Sequence, residues 1–168
     1  MTVHAPIIAT QSKPEMREFL SLPTWIHAGS RETGGSLSLV EQIIPPGFSS
    51  PWHVHHDEDE TFFVITGEVT VVFADRALVL GPGHSAVGPR AVPHGFRVTG
   101  NEPARLLLVT TGPGFADFVR DVGEPVSDGA TIEPREPDLA RVVALAERHG
   151  LATSDRCPKS ALPDAASA

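Results

Sequence analysis

A single cysteine, Cys157, is all the thiol in this 168-residue chain, which excludes an intrachain disulfide framework. Positive charge is also short. Thirteen Lys and Arg stand against 21 Asp and Glu, for a net charge of −8. Binding a phosphate backbone needs a basic patch, so no nucleic-acid partner is expected. No apolar run approaches the roughly 18 residues of a membrane span, so no membrane partner is expected either. The first twenty residues include Lys13, Glu15, Arg17 and Glu18 and lack an apolar signal core. A cytoplasmic location is the default that follows. There is no internal repeat. Long uninterrupted stretches are scarce, because 16 Pro and 15 Gly are spread along the chain. Such punctuation between short apolar runs favours many short strands over long helices.

What remains is ordinary globular material, 40% hydrophobic and 20% charged, enough for one domain with a real core. Residues 1–13 read as a loose terminus and 14–20 as a short helix led by Pro14. Residues 24–28 read as a strand and 29–35 as a polar turn. In 36–44, Leu37, Leu39, Glu41 and Ile43 alternate as one face of a strand. Further strands are expected at 60–66, 69–74 (as its hairpin partner), 77–80, 84–87, 94–98 and 104–110. Helical spacing then takes over. It runs through Phe115, Phe118, Val119 and Val122, and again through Leu139, Val142, Val143 and Ala146 up to Gly150. These two helices either pack against the outside of the β core or cover its mouth. The division expected is an N-terminal segment with an edge strand (1–35), a β core (36–111), C-terminal helices (112–151) and a disordered tail (152–168).

The segment Gly47–Gly67 carries the chemistry. His53 and His55 are two apart, so strand alternation points them the same way, and Glu60 follows. His94 is a fourth available donor. Imidazoles and a carboxylate suit a divalent transition metal (Ni, Fe, Mn, Co, Cu or Zn), and four ligands leave a position open for chemistry. On strand parity Phe62 and Val64 follow Glu60 inward, and Phe96 follows His94. They read either as an apolar chamber for a flat organic ligand or as plain core. The acidic run Asp57–Glu58–Asp59 with His56 reads as a solvated loop or as groups that orient His53 or His55. His84 reads as structural. His4, His27, His149 and Cys157 carry no expected role.

Gly47-x5-His53-x-His55-x4-Glu60-x6-Gly67 resembles the first motif of the cupin superfamily at every spacing. Gly83-x5-Pro89-x-Ala91-x2-His94-x3-Val98 resembles the second, with Ala91 and Val98 where glycine and asparagine are usual. The resemblance implies an all-β cupin barrel of jelly-roll type, with His53, His55, Glu60 and His94 pointing inward as metal ligands. Residues 110–126 and the helix after them look like the tail of single-domain bacterial cupins similar to quercetinase. That likeness implies a dioxygenase acting with O2 on an enolic or flavonol-like small molecule, and gives Glu60 a second role as the base. The alternatives are a non-oxidative metal-dependent cyclase or isomerase of a polyketide-like or sugar-like substrate, and a non-catalytic small-molecule binder. Exposed sheet edges need cover, and cupins commonly pair through theirs. A homodimer is therefore expected, with the strand at 37–43 contributing.

Overall fold

The structure is a computed structural model describing residues 13–127, 130, 132 and 138–154. In chain order the elements are β1 (Glu15–Phe19), β2 (Leu22–Ala28), α1 (Ser30–Thr33), β3 (Ser38–Ile44), β4 (Trp52–His55), β5 (Glu60–Thr66), β6 (Val69–Phe73), β7 (Ala77–Leu80), β8 (Ser85–Gly88), β9 (His94–Val98) and β10 (Ala104–Thr110). They continue with α2 (Gly114–Val122), β11 (Glu124–Pro125), α3 (Leu139–Ala146), a 3-10 turn (Glu147–His149) and β12 (Leu151–Ser154). The strands form two antiparallel sheets, ordered β11-β1-β2-β3-β10-β5-β8 and β12-β4-β9-β6-β7. Val40, Ile44, Phe62, Val64, Leu106 and Leu108 of the first meet Val69, Val71, Phe96 and Val98 of the second in one buried cluster. This is the expected all-β fold of cupin type. No helix among the described residues is long and apolar enough to cross a membrane.

Several local expectations are corrected. Residues 15–19 are a strand, not a helix. So short a segment has little helical stability of its own, and β1 instead pairs with β2 on one side and β11 on the other. The β1–β2 turn places Leu20 and Ser21 at φ 55° and 61°, the left-handed pair of a two-residue hairpin, without the Gly or Asn that would have announced it. The polar turn at 29–35 contains the single helical turn α1, where the Glu32 carboxylate accepts the Gly29 N–H at 2.8 Å. In β3 the buried face is Ser38, Val40, Gln42 and Ile44, the opposite parity to that expected, and Ile43 is exposed. β6 is not the hairpin partner of β5, because the two lie in different sheets. The chain crosses between them at Gly67 (φ 81°), where a Cβ would stand 2.6 Å from Ala104 Cα. Residues 152–154, expected as tail, belong to β12. The remainder of the expected tail, and residues 1–12, lie outside the described residues.

Ala91, in the glycine position of the second motif, takes φ 60°, and its N–H donates to the His55 carbonyl at 2.7 Å. A left-handed alanine costs on the order of 1 kcal/mol, and the greater freedom of unfolded glycine returns only part of that. Ala91→Gly is therefore expected to stabilise the protein by roughly 0.5 kcal/mol, read as a higher urea midpoint at unchanged slope.

Candidate metal centre

β4, β5 and β9 bring the four donors together. His53 and His94 are register partners across the β4–β9 pair. His55 follows on the same face of β4, while Trp52 turns outward to pack on Val72. Glu60 opens β5 opposite Gly88, and a Cβ on Gly88 would stand 2.8 Å from the His94 ring. A glycine inside a strand often marks such a close approach. β4 itself is held mainly from its other side. It has one register partner in β9 and four in β12, with Leu151 opposite His55 and Thr153 opposite His53.

One donor atom from each of His53, His55, Glu60 and His94 lies within 4.8 Å of the others, so the cluster could hold a metal ion. Glu60 Oε2 stands 3.4 Å from His53 Nε2, 3.3 Å from His55 Nε2 and 3.0 Å from His94 Nε2. The tautomers follow from the other ring nitrogens. His53 Nδ1 donates to the Pro51 carbonyl and His94 Nδ1 to the Val92 carbonyl, both at 2.8 Å. Their Nε2 lone pairs therefore aim at a carboxylate oxygen, acceptors facing an acceptor. His55 Nδ1 faces Glu58 at 3.5 Å, and its buried Nε2 has no hydrogen-bond partner. Lone pairs converging on a buried carboxylate, with one orphaned nitrogen among them, are the donor set a divalent cation satisfies.

Glu58 was hidden by its acidic neighbours. Its carboxylate is buried, lies beside His55 and accepts the backbone N–H groups of Gly114 and Phe115 at the start of α2. Of the two readings of the acidic run, Glu58 follows the orienting one. Asp59 follows the solvent-facing one. Hydrogen bonds from Arg90 hold its carboxyl at about 2. His27 pairs with Glu41 and His149 with Asp121, both remote from the four donors in role. His84 accepts from the Gly81 N–H.

Three of the donors, His53, His55 and Glu60, border a cavity. Phe96 lines it, with Phe19, Leu20, Phe48, Leu108, Phe115 and Phe118. Phe62 and Val64 are fully buried in the core behind it and are not part of its lining. Val142 and Ala146 of α3 complete one side, so both C-terminal helices wall the cavity rather than packing only on the outside.

Burial alone would lower the His55 pKa. The charge of Glu60, with Glu58 on the other side of the ring, overrides it and raises the imidazole to about 9. Burial would likewise raise Glu60. The charge of His55, with the other two imidazoles close by, takes it well below its ordinary 4.5 instead. In the metal-free protein the raised His55 contributes stability that is full below its unfolded value of 6.5 and lost as pH rises through about 9. The depressed Glu60 contributes stability that is full above 4.5 and lost only as pH falls through its folded value. Metal binding requires neutral imidazole and removes the His55 term. The melting temperature of metal-free protein is expected to fall between pH 6.5 and 9, while that of metal-loaded protein does not follow it. Parallel pH profiles would refute this.

Residues 40–110 match the family described as Cupin domain. These residues are a cupin domain. Over 116 residues the chain is 27% identical to quercetin 2,3-dioxygenase of Bacillus subtilis (strain 168), an alignment covering 69% of this chain and 34% of that enzyme. It is 25% identical over 80 residues to the Methanocaldococcus jannaschii protein MJ1618, covering 48% of this chain and 64% of that one. The chain thus spans about a third and just under two thirds of these curated relatives. Among solved structures, a single-residue variant of Bacillus subtilis oxalate decarboxylase superposes with a TM-score of 0.53 at 25% identity, covering 63% of this chain and 29% of that one. The formate complex of Lactobacillus farciminis oxalate decarboxylase gives 0.52 at 25% identity, covering 60% and 31%.

Proposed function

We propose that this chain is a metal-dependent dioxygenase acting on an enolic, flavonol-like aromatic small molecule, with His53, His55, Glu60 and His94 as ligands. The observation that carries the reading is that three of the four clustered donors, His53, His55 and Glu60, border an apolar, aromatic-lined cavity. No Lys or Arg is among the described lining residues, and a flat ring system buries well there. The distant likeness to quercetin 2,3-dioxygenase points the same way.

A bound divalent metal would supply Lewis acidity toward an enol oxygen and a site for O2 chemistry. The chain's own part is to hold the ring system among Phe48, Phe96, Phe115 and Phe118, to exclude water, and to take the enol proton on the Glu60 carboxylate. A carboxylate as weakly basic as Glu60 would suffice with a cation beside it to acidify the hydroxyl it faces. The test is oxygen uptake with 3-hydroxyflavone after loading with Ni, Co, Mn or Fe in turn. Metal-dependent uptake is expected with at least one. No uptake above the metal-free protein with any of the four would refute the reading.

The assembly proposed is a homodimer. β3 is hydrogen-bonded to β2 and β10 on its two sides, so its edge is closed and the edge contact expected at 37–43 is not available. Its outward face is open. Ile43 of β3, Phe63 of β5 and Val87 of β8 are each more than a third exposed on that side of the sheet. Light scattering is expected to give twice the 17.9 kDa chain mass, and Phe63→Glu to give the monomer. A monomeric wild type at micromolar concentration would exclude the pairing.

A further inference from the structure

Gln42 is a polar residue of the cavity wall that the metal chemistry leaves unused. It sits on the inward face of β3, 3% exposed, and borders the cavity. Its orientation is fixed by a buried relay. Thr24 Oγ1 donates to the Leu22 carbonyl at 3.2 Å, so that hydroxyl is left to accept, and the group it accepts from is Gln42 Nε2 at 3.0 Å. The amide nitrogen is therefore turned to Thr24, and Oε1 has no donor among the described residues. His55 Nε2 alone is a fully buried polar side-chain atom without a partner among the described residues, so Oε1 is not sealed within the wall. The space that Gln42 helps to line is where a donor has room. Ser50, another hydroxyl of the wall, is already committed. It donates to the Pro51 carbonyl and accepts the Phe96 N–H.

Sheet register sets the distance. Glu60 pairs with Thr110, Thr110 with Ser38, and Gln42 lies four residues further along β3. That displacement is about 13 Å along the strand between Cα atoms. After both side chains reach into the cavity, a ligand touching the two must be on the order of 10 Å long.

We infer that Gln42 is the specificity residue at the far end of the site, its Oε1 accepting a hydrogen bond from a hydroxyl on the ring remote from the metal. The substrate class this names, resting on the reading of the site given above, is an elongated aromatic compound of two or more rings. One end carries an enolic oxygen for the metal and the other a hydroxyl donor. Thr24 positions the amide, and Gln42 makes the contact.

The experiment uses the full chain, metal-free and zinc-loaded, under argon. Three probes are titrated by calorimetry: 3-hydroxyflavone, its para-hydroxyphenyl analogue and its para-methoxyphenyl analogue. Wild type is expected to bind the hydroxyl analogue at least about tenfold more tightly than the parent. Gln42→Met, which keeps side-chain length without the acceptor, is expected to bind the two equally. Thr24→Val frees the amide to turn its N–H outward, so preference is expected to move toward the methoxy analogue. A structural role for Gln42 would lower all three affinities together and leave their ratios as in wild type. Wild-type ratios in Gln42→Met, a wild-type ratio near one, or no binding of any probe would each overturn the proposal. The expected ratios without oxygen uptake in any metal form would overturn the dioxygenase reading alone and leave the Gln42 contact standing.

Discussion

Glu60→Gln is expected to lose at least about a hundredfold in turnover per bound metal while keeping a substantial share of the metal. The amide oxygen is still a donor atom in the place of Oε2, with three imidazoles around it. What it cannot do is accept a proton. If Glu60 serves only as a ligand, the change costs little rate per metal. If it is also the base, the loss is of the size general-base catalysis contributes, about 10²- to 10⁴-fold. The comparison must be made at matched metal content and across pH, because low occupancy mimics a slow step. Near-equal turnover per metal would leave Glu60 a ligand alone, with substrate entering already ionised.

His94→Ala is expected to lose most of its bound metal and remain folded. His94 is completely buried, packed edge-on to Phe62 with ring centroids 5.6 Å apart and seated over Gly88. Its Nε2 makes the shortest of the three approaches to Glu60. Loss of a direct donor should exceed the roughly 10- to 100-fold that losing a ligand's outer hydrogen-bond partner costs. The fold is carried by Val40, Phe62, Val71, Leu106 and their neighbours, none of which needs the metal. The same loss is expected for His53→Ala and His55→Ala. Metal analysis beside circular dichroism decides each case, and stoichiometric metal in a folded variant removes that histidine from the site.

The sequence shows His53, His55 and Glu60 because their geometry is local. His53 and His55 share a face by strand alternation, and the spacing to Glu60 fits a strand, a turn and a second strand. Strands 94–98 and 104–110 match the structure to the residue, being short runs closed by Gly, Pro or Asn. The failures are all matters of partnership. Whether residues 15–19 coil or extend depends on β2 and β11. Whether Val40 or Leu39 faces inward depends on which side of β3 the second sheet lies. Glu58 stands among Asp57 and Asp59 with nothing in composition to separate it, and only the start of α2, more than fifty residues later, draws its carboxylate inside. Gln42 is a polar residue in an apolar run, and its meaning comes from Thr24 on the neighbouring strand.

The pairing of β12 with β4 sets an order of events during synthesis. His53 and His55 emerge from the ribosome about 100 residues before Leu151 and Thr153, which brace them. At translation rates of 5–20 residues per second, that interval is about 5–20 s. Through it β4 has a single register partner in β9 and one free edge. Two imidazoles stand on an open strand, and open strands recruit other chains. A metal held by the four donors would therefore load late, set by arrival of β12 rather than by the ligands themselves. A chain cut before residue 151 would keep every ligand and still lack the element that holds β4 in place.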